Sequence, residues 1–158
     1  MKQNIKWGKL TLCVLIPLAA GGLGALLAGE SMEHYNSLYK PLLSPPSWVF
    51  PVIWTLLYVL MGIASYLVLT SEVSEPRKKR ALTVYGVQLA VNMLWPLLFF
   101  RLEAYLLSFI WLALLWLLIW LCELLFRYIR KAAGDLLIPY LLWVFFAGYL
   151  NLGIYLLN

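Results

Sequence analysis

Polar residues interrupt the chain at a few places, and between them run five almost wholly apolar stretches at 10–29, 48–71, 81–100, 104–122 and 136–157. Each holds about 19 to 24 residues, the length a helix rising ~1.5 Å per residue needs to cross the hydrocarbon of a bilayer. Closed β-barrels are the other spanning solution, and they would show stretches of about ten residues with alternating polarity. No such alternation is present. The pattern therefore predicts an all-α polytopic membrane protein, a five-helix transmembrane bundle forming one domain over residues 1–158. The basic segment Met1–Lys9 precedes the first stretch, but that stretch is longer than the ~7–15 apolar residues of a signal peptide. It is read as a retained first span.

Composition strengthens this reading. Of 158 residues, 64% are hydrophobic and 12% charged, against about a quarter charged in soluble domains, so little polar surface is left to face water. The charges that remain are unevenly placed. Lys2, Lys6, Lys9, Arg77, Lys78, Lys79, Arg80, Arg127, Arg130 and Lys131 fall on one side of the alternating spans, and Lys40 and Arg101 on the other. The positive-inside rule then makes the N-terminus cytoplasmic, with the first loop and the C-terminus outside. The net charge of +5 follows from this topology and from contact with anionic lipid. Nucleic acid is excluded as a partner, because the basic residues sit in short turns at the bilayer surface.

Ionisable groups inside the spans, the signature of pumps and coupled transporters, are nearly lacking. Glu123 and Asp135 lie at span ends near Arg127 and Arg130, where ion pairing at the surface accounts for them. The sequence offers no metal constellation, no Ser-His-Asp set and no phosphate loop. Cys13 and Cys122 sit in apolar runs as small packing residues. Prolines at 17, 51, 96 and 139 within spans are expected to kink helices and make room for pockets. Two small-residue ridges on the first span, Ala20/Gly24/Ala28 and Gly21/Ala25/Gly29, are read as helix-packing surfaces.

What the spans do carry is uncharged polar groups set among large aromatics. Gln88 and Asn92 share one face of the third span, extended by Tyr85 and Trp95. Trp143, Ala147 and Asn151 form a stripe on the fifth span, and Trp54, Tyr58 and Gly62 one on the second. Trp111, Trp116 and Trp120 on the fourth share no clean face and are expected to meet lipid or a second copy. A mostly apolar cavity with a few convergent hydrogen-bonding groups is the usual design of a small-molecule site, and indole and phenol faces suit a flat, conjugated ligand. Interhelical bonding by the buried amides is the alternative. The loop 30–47 contains Pro41, Pro45 and Pro46, which restrict its backbone. It is expected to form a semi-rigid lid over the bundle.

At these residues the chain resembles the translocator protein family, the tryptophan-rich sensory proteins also called peripheral-type benzodiazepine receptors. One block comprises Tyr35, Leu38, Lys40, Pro41, Pro45, Pro46, Phe50, Trp54, Thr55, Leu57, Tyr58, Met61 and Gly62. A second is Gln88, Leu89, Asn92, Trp95, Phe99 and Phe100, and a third is Pro139, Tyr140, Trp143, Phe146, Ala147, Leu150 and Asn151. His34 and Leu43 stand where the family pattern has tryptophans. The loose cholesterol pattern is met by Leu125, Tyr128 and Arg130 and, reversed, by Arg80, Tyr85 and Val87.

The resemblance implies a homodimer in a bacterial cell membrane that binds protoporphyrin IX or haem-like tetrapyrroles beneath the first loop, with no cofactor required. The implied ligand-binding residues are Tyr35, Pro45, Trp54, Tyr58, Gln88, Asn92, Trp95, Trp143, Ala147 and Asn151. Light- and oxygen-dependent porphyrin degradation, with Trp54 and Trp143 as catalytic residues, is the enzymatic alternative. Transport of porphyrins or sterols is a third reading, although neither an internal repeat nor coupled charges support it.

Overall fold

The computed structural model describes residues 5–158, so Lys2 lies outside the described residues. Its long helices are α1 (Trp7–Ala28), α3 (Val49–Leu69), α4 (Glu75–Pro96), α5 (Tyr105–Ile129) and α7 (Ile138–Leu157), with two short ones, α2 (Ser31–Ser37) and α6 (Lys131–Asp135). No strand occurs among the described residues. Among the described residues, five helices are long and apolar enough to cross a membrane, as the hydropathy pattern requires.

The boundaries depart from expectation where charge was read as loop. Arg77 to Arg80 lie inside the first turns of α4, and Arg127 lies inside α5. Lysine and arginine are good helix formers, and their long stems let a helix continue past the apolar zone with the charge in water. Pro51 and Pro139 fall in the first turns of α3 and α7, where a missing N–H costs nothing, so neither kinks a span. Pro17 and Pro96 are interior. Pro96 is followed by a π-helical turn, Leu97–Arg101, which sets the neighbouring rings of Phe99 and Phe100 at 76° to each other. Glu123 is buried rather than at the surface. Arg127 bonds to it and also reaches Asp135 at 2.9 Å.

Small residues let the helices approach. A Cβ on Gly62 would stand 2.5 Å from Val14 Cα and 2.7 Å from Cys13 O, so α3 lies directly against α1 there. Pro17 frees that carbonyl of Cys13 by lacking an N–H. A Cβ on Gly24 would come within 3.0 Å of Met93 O on α4. The Ala20/Gly24/Ala28 ridge thus makes a packing contact, as expected. The second ridge is divided in its role: Gly21 packs tightly on Tyr58 of α3, and Gly21 and Ala25, like Ala28 of the first ridge, also line a cavity.

The fourth span also corrects an expectation. Trp111 Nε1 donates to Val91 O at 2.7 Å and Trp116 Nε1 to Leu141 O at 3.2 Å, so both tie α5 to its neighbours. Trp120 remains 48% exposed and is free for lipid contact.

Candidate functional site

A cavity of about 390 Å³ lies between α1, α3 and α4 beneath the first loop, near the lower end of the ~300–1,000 Å³ usual for small-molecule sites. Its floor and walls are rings: Phe50 and Trp54 from α3, Trp95 from α4 and Phe100 from the π turn. Trp54 stacks on Tyr58 with centroids 5.7 Å apart at 27°. The α1 wall is mostly small, built from Gly21, Gly22, Ala25 and Ala28, with Leu18 as its one large side chain. Gly22, Ala25, Pro51 and Thr55 line the cavity and are also exposed, so it opens sideways between α1 and α3.

Most of the polar groups at the cavity are engaged by the protein itself. Tyr58 OH donates to Asn92 Oδ1 at 2.9 Å, Asn92 Nδ2 to Tyr140 OH at 2.5 Å, and Tyr140 OH to Gln88 Oε1 at 2.9 Å. Only Tyr58 and Asn92 of this series touch the cavity; Gln88 lies behind them, with Nε2 3.9 Å from Met61 Sδ. Trp95 Nε1 donates to Asn151 Oδ1 at 3.2 Å, and Thr55 Oγ1 to Pro51 O at 2.7 Å. Asn92 retains one amide N–H and one lone pair by the amide inventory. The cavity is therefore equipped for stacking and apolar burial far more than for hydrogen bonding.

The lid has its own construction. α2, a seven-residue helix without an apolar signature, begins it, and Lys40 closes it. Lys40 Nζ donates to the carbonyls of Tyr35, Asn36 and Leu38 at 3.0, 3.2 and 3.0 Å, spending all three ammonium donors at the C-terminal end of α2, and lies 5.0 Å above the Tyr35 ring. Tyr35 is buried against Phe50 with centroids 4.9 Å apart, and its hydroxyl donates to Pro45 O at 3.0 Å. Burial raises its phenol above the ordinary tyrosine value. The lid is strapped to α7: Tyr149 OH donates to Leu42 O at 2.8 Å, and Pro41 seats against Gly153, where an added Cβ would stand 2.5 Å from Pro41 Cγ. At the tip, Leu43 holds φ at +69°, a left-handed conformation costly for a side chain with a Cβ.

Of the residues singled out from the sequence, Tyr35, Trp54, Tyr58, Asn92 and Trp95 come together around the cavity. Pro45 acts through its carbonyl on Tyr35. Gln88, Trp143, Ala147 and Asn151 do not reach it. Asn151 accepts from Ser108 Oγ at 2.9 Å as well as from Trp95, and donates to Tyr105 O at 2.7 Å, which makes it the bond between α4, α5 and α7. Phe50 contacts Trp143 with centroids 5.9 Å apart, and it is Phe50 that faces the cavity. Trp143 Nε1 is buried without a hydrogen-bond partner among the described residues. Sequence reasoning assigns the α1 wall to packing and misses Phe50, Phe100 and the linking role of Tyr140. The prolines at 96 and 139 beside aromatic pairs were the available signals for the last two.

Among the described residues no group of His, Cys, Asp and Glu could hold a metal ion. His34, which stands at a family tryptophan position, places Nε2 2.9 Å from Tyr105 OH and closes the lid against α5 instead.

Comparison with known proteins agrees with the architecture. The chain is 37% identical over 150 residues to the tryptophan-rich protein TspO of Chlorobaculum tepidum, covering 94% of this chain and 95% of that one. It is 37% identical over 139 residues to the protein CrtK of Rhodobacter capsulatus, covering 88% and 86%. The translocator protein of Ovis aries matches at 37% over 140 residues, covering 87% and 82%. With residues 13–157 matching the family's model along nearly the whole chain, the protein belongs to the TspO/MBR family.

Proposed function

We propose that this integral membrane protein is a receptor or sensor for tetrapyrroles such as protoporphyrin IX or haem-like macrocycles, held in the cavity beneath the lid. The observation that carries the reading is the pairing of an aromatic wall, with Trp54 stacked on Tyr58, with an α1 wall in which only Leu18 has a large side chain. Apart from the point where Tyr58 closes on Gly21, an apolar space lies between them. A conjugated ring entering edge-first stacks on Trp54, and its far edge projects through the opening between α1 and α3. The family's sensory and translocator names are consistent with such a role. Trp54 alone of the tryptophan pair reaches the cavity, which favours binding over photo-oxidative turnover. A homodimer in a bacterial cell membrane, with the N-terminus cytoplasmic, completes the proposal, and the basic residues at one end support that orientation.

Titration of the purified protein with protoporphyrin IX, followed by quenching of tryptophan fluorescence, tests the binding claim. Saturable quenching should be weakened about tenfold by Trp54→Ala, since aromatic stacking contributes ~0.5–1.5 kcal/mol beyond the apolar area it buries and about 1.4 kcal/mol is tenfold. Full affinity in Trp54→Ala protein that melts like the wild type would reject this cavity as the site.

A further inference from the structure

At the opposite end of the bundle from the lid, α1, α3 and α4 bound a second, open cleft of about 610 Å³. Its α4 wall is one helical face: Glu75, Lys78, Lys79, Leu82 and Thr83 recur at the i, i+3, i+4, i+7, i+8 spacing of a single side. Lys9 from α1 faces them. The consecutive basic residues 77–80 are thus divided by the helix, with Lys78 and Lys79 turned into the cleft. Arg77 instead lies 5.6 Å over the ring of Tyr128 on α5, and Arg80 is exposed outside the cleft.

Lys78 is the telling residue. Its side chain is only 14% exposed, while its single partner among the described residues, Glu75 at 2.9 Å, is 86% exposed. A shielded ammonium with a solvent-facing counterion and two unspent donors is a cation that a stronger anion can claim. Lys9 and Lys79 leave the cleft with a net positive charge after Glu75 is counted, Thr83 offers a hydroxyl, and Leu69 and Leu82 supply an apolar side.

We propose that this cleft seats the phosphate of an anionic phospholipid, with Lys9, Lys78 and Lys79 around the phosphate and the leucines against the start of its acyl chains. The cleft sits where the apolar part of the helices gives way to charge, which is the depth of the headgroups. A free phosphate ester shares the headgroup's chemistry but gains nothing from the leucines.

The test uses the full chain in neutral detergent, with palmitoyl-oleoyl phosphatidylglycerol as probe, phosphatidylcholine as reference and native mass spectrometry to count bound lipid. Each interfacial lysine removed, as Lys9→Gln or Lys79→Gln, should weaken phosphatidylglycerol binding about fivefold, and both together about 25-fold. Glu75→Gln, which releases Lys78 and removes a repelling carboxylate, should strengthen it severalfold. Porphyrin quenching and the melting temperature, read in parallel, should stay unchanged because the cleft is remote from the lid cavity. An equal loss in Arg80→Gln would overturn the proposal in favour of diffuse attraction to the basic end. Displacement of the lipid by glycerol 3-phosphate at matched concentration would overturn the lipid assignment.

Discussion

Gly21 and Gly22 are neighbours on α1 and both line the lid cavity, yet a methyl group added to each meets opposite surroundings. On Gly21 the new Cβ would stand 2.1 Å from Tyr58 Cε2 and 2.7 Å from Cδ2 and Cζ; on Gly22 it meets nothing within 4 Å. The ring would have to retreat about 1.4 Å to reach the ~3.5 Å of ordinary contact. Tyr58 is stacked on Trp54 and bonded to Asn92, so it cannot retreat without disturbing both. Overpacking costs roughly 1–3 kcal/mol, and loss of the Tyr58–Asn92 bond about 1 kcal/mol. The better helix propensity of alanine returns up to about 1 kcal/mol. Gly21→Ala should therefore be destabilised by about 1–3 kcal/mol, whereas Gly22→Ala should be neutral or stabilised by up to about 1 kcal/mol. Thermal melts in detergent, read by intrinsic tryptophan fluorescence, should fall for Gly21→Ala and hold or rise for Gly22→Ala. Protoporphyrin affinity should fall about tenfold or more in Gly21→Ala and stay within about threefold in Gly22→Ala. If the two variants behave alike in both assays, the assignment of the α1 wall is refuted.

Asn151→Ala should lower the melting temperature, since interhelical hydrogen bonds in membranes contribute ~0.6–1.7 kcal/mol each and Trp95 and Ser108 would lose their acceptor. Porphyrin affinity should hold in the folded protein, and a large loss of affinity without loss of stability would place Asn151 at the ligand instead. Lys40→Met strips three carbonyls of their shared donor, and stopped-flow dissociation of protoporphyrin should accelerate severalfold; an unchanged rate means the lid does not retain the ligand. The Tyr35 hydroxyl holds the lid only while protonated, and burial raises its pKa. Its contribution is therefore complete below the ordinary tyrosine value near 10 and lost as pH climbs through the raised value. Dissociation measured against pH should show this alkaline limb, and Tyr35→Phe should abolish it.

The five spans were legible in the sequence because crossing hydrocarbon demands an uninterrupted run of apolar residues, and nothing in the chain competes with that signal. Spacing also tells which side chains share a helix face, and here Trp54 and Tyr58 do share one. It does not tell what that face meets. Gly62, on the same stripe, packs against α1 below the cavity, and the Trp143/Ala147/Asn151 stripe turns partly toward α4 and α5, with Asn151 bonding to both. The buried amides illustrate the difference. Asn92 lines the cavity and Asn151 does not, although both sit in aromatic surroundings at helical spacing. The small residues of the α1 wall stand out in the sequence as a packing surface, because small residues signal closeness without saying whether a helix or a ligand is what comes close. α2 lacked an apolar signal because the lid's bonds hold it: its C-terminal carbonyls are tied by Lys40, and Tyr35 is its buried anchor.

The hydrogen bonds that consume Tyr58, Trp95 and Thr55 have a consequence for discrimination between ligands. A site whose polar groups wait for a partner rejects any molecule that leaves them stranded, often by factors of thousands. Here most of those groups are paired before anything arrives, so a guest is penalised little for lacking a donor or acceptor. It is judged on flatness and apolar area, for which one methylene changes affinity by only ~1–3 kcal/mol. Chemically unrelated planar compounds should therefore compete with one another across a narrow range of affinities. Which of them occupies the protein in a cell is then decided chiefly by which is most abundant in the surrounding bilayer.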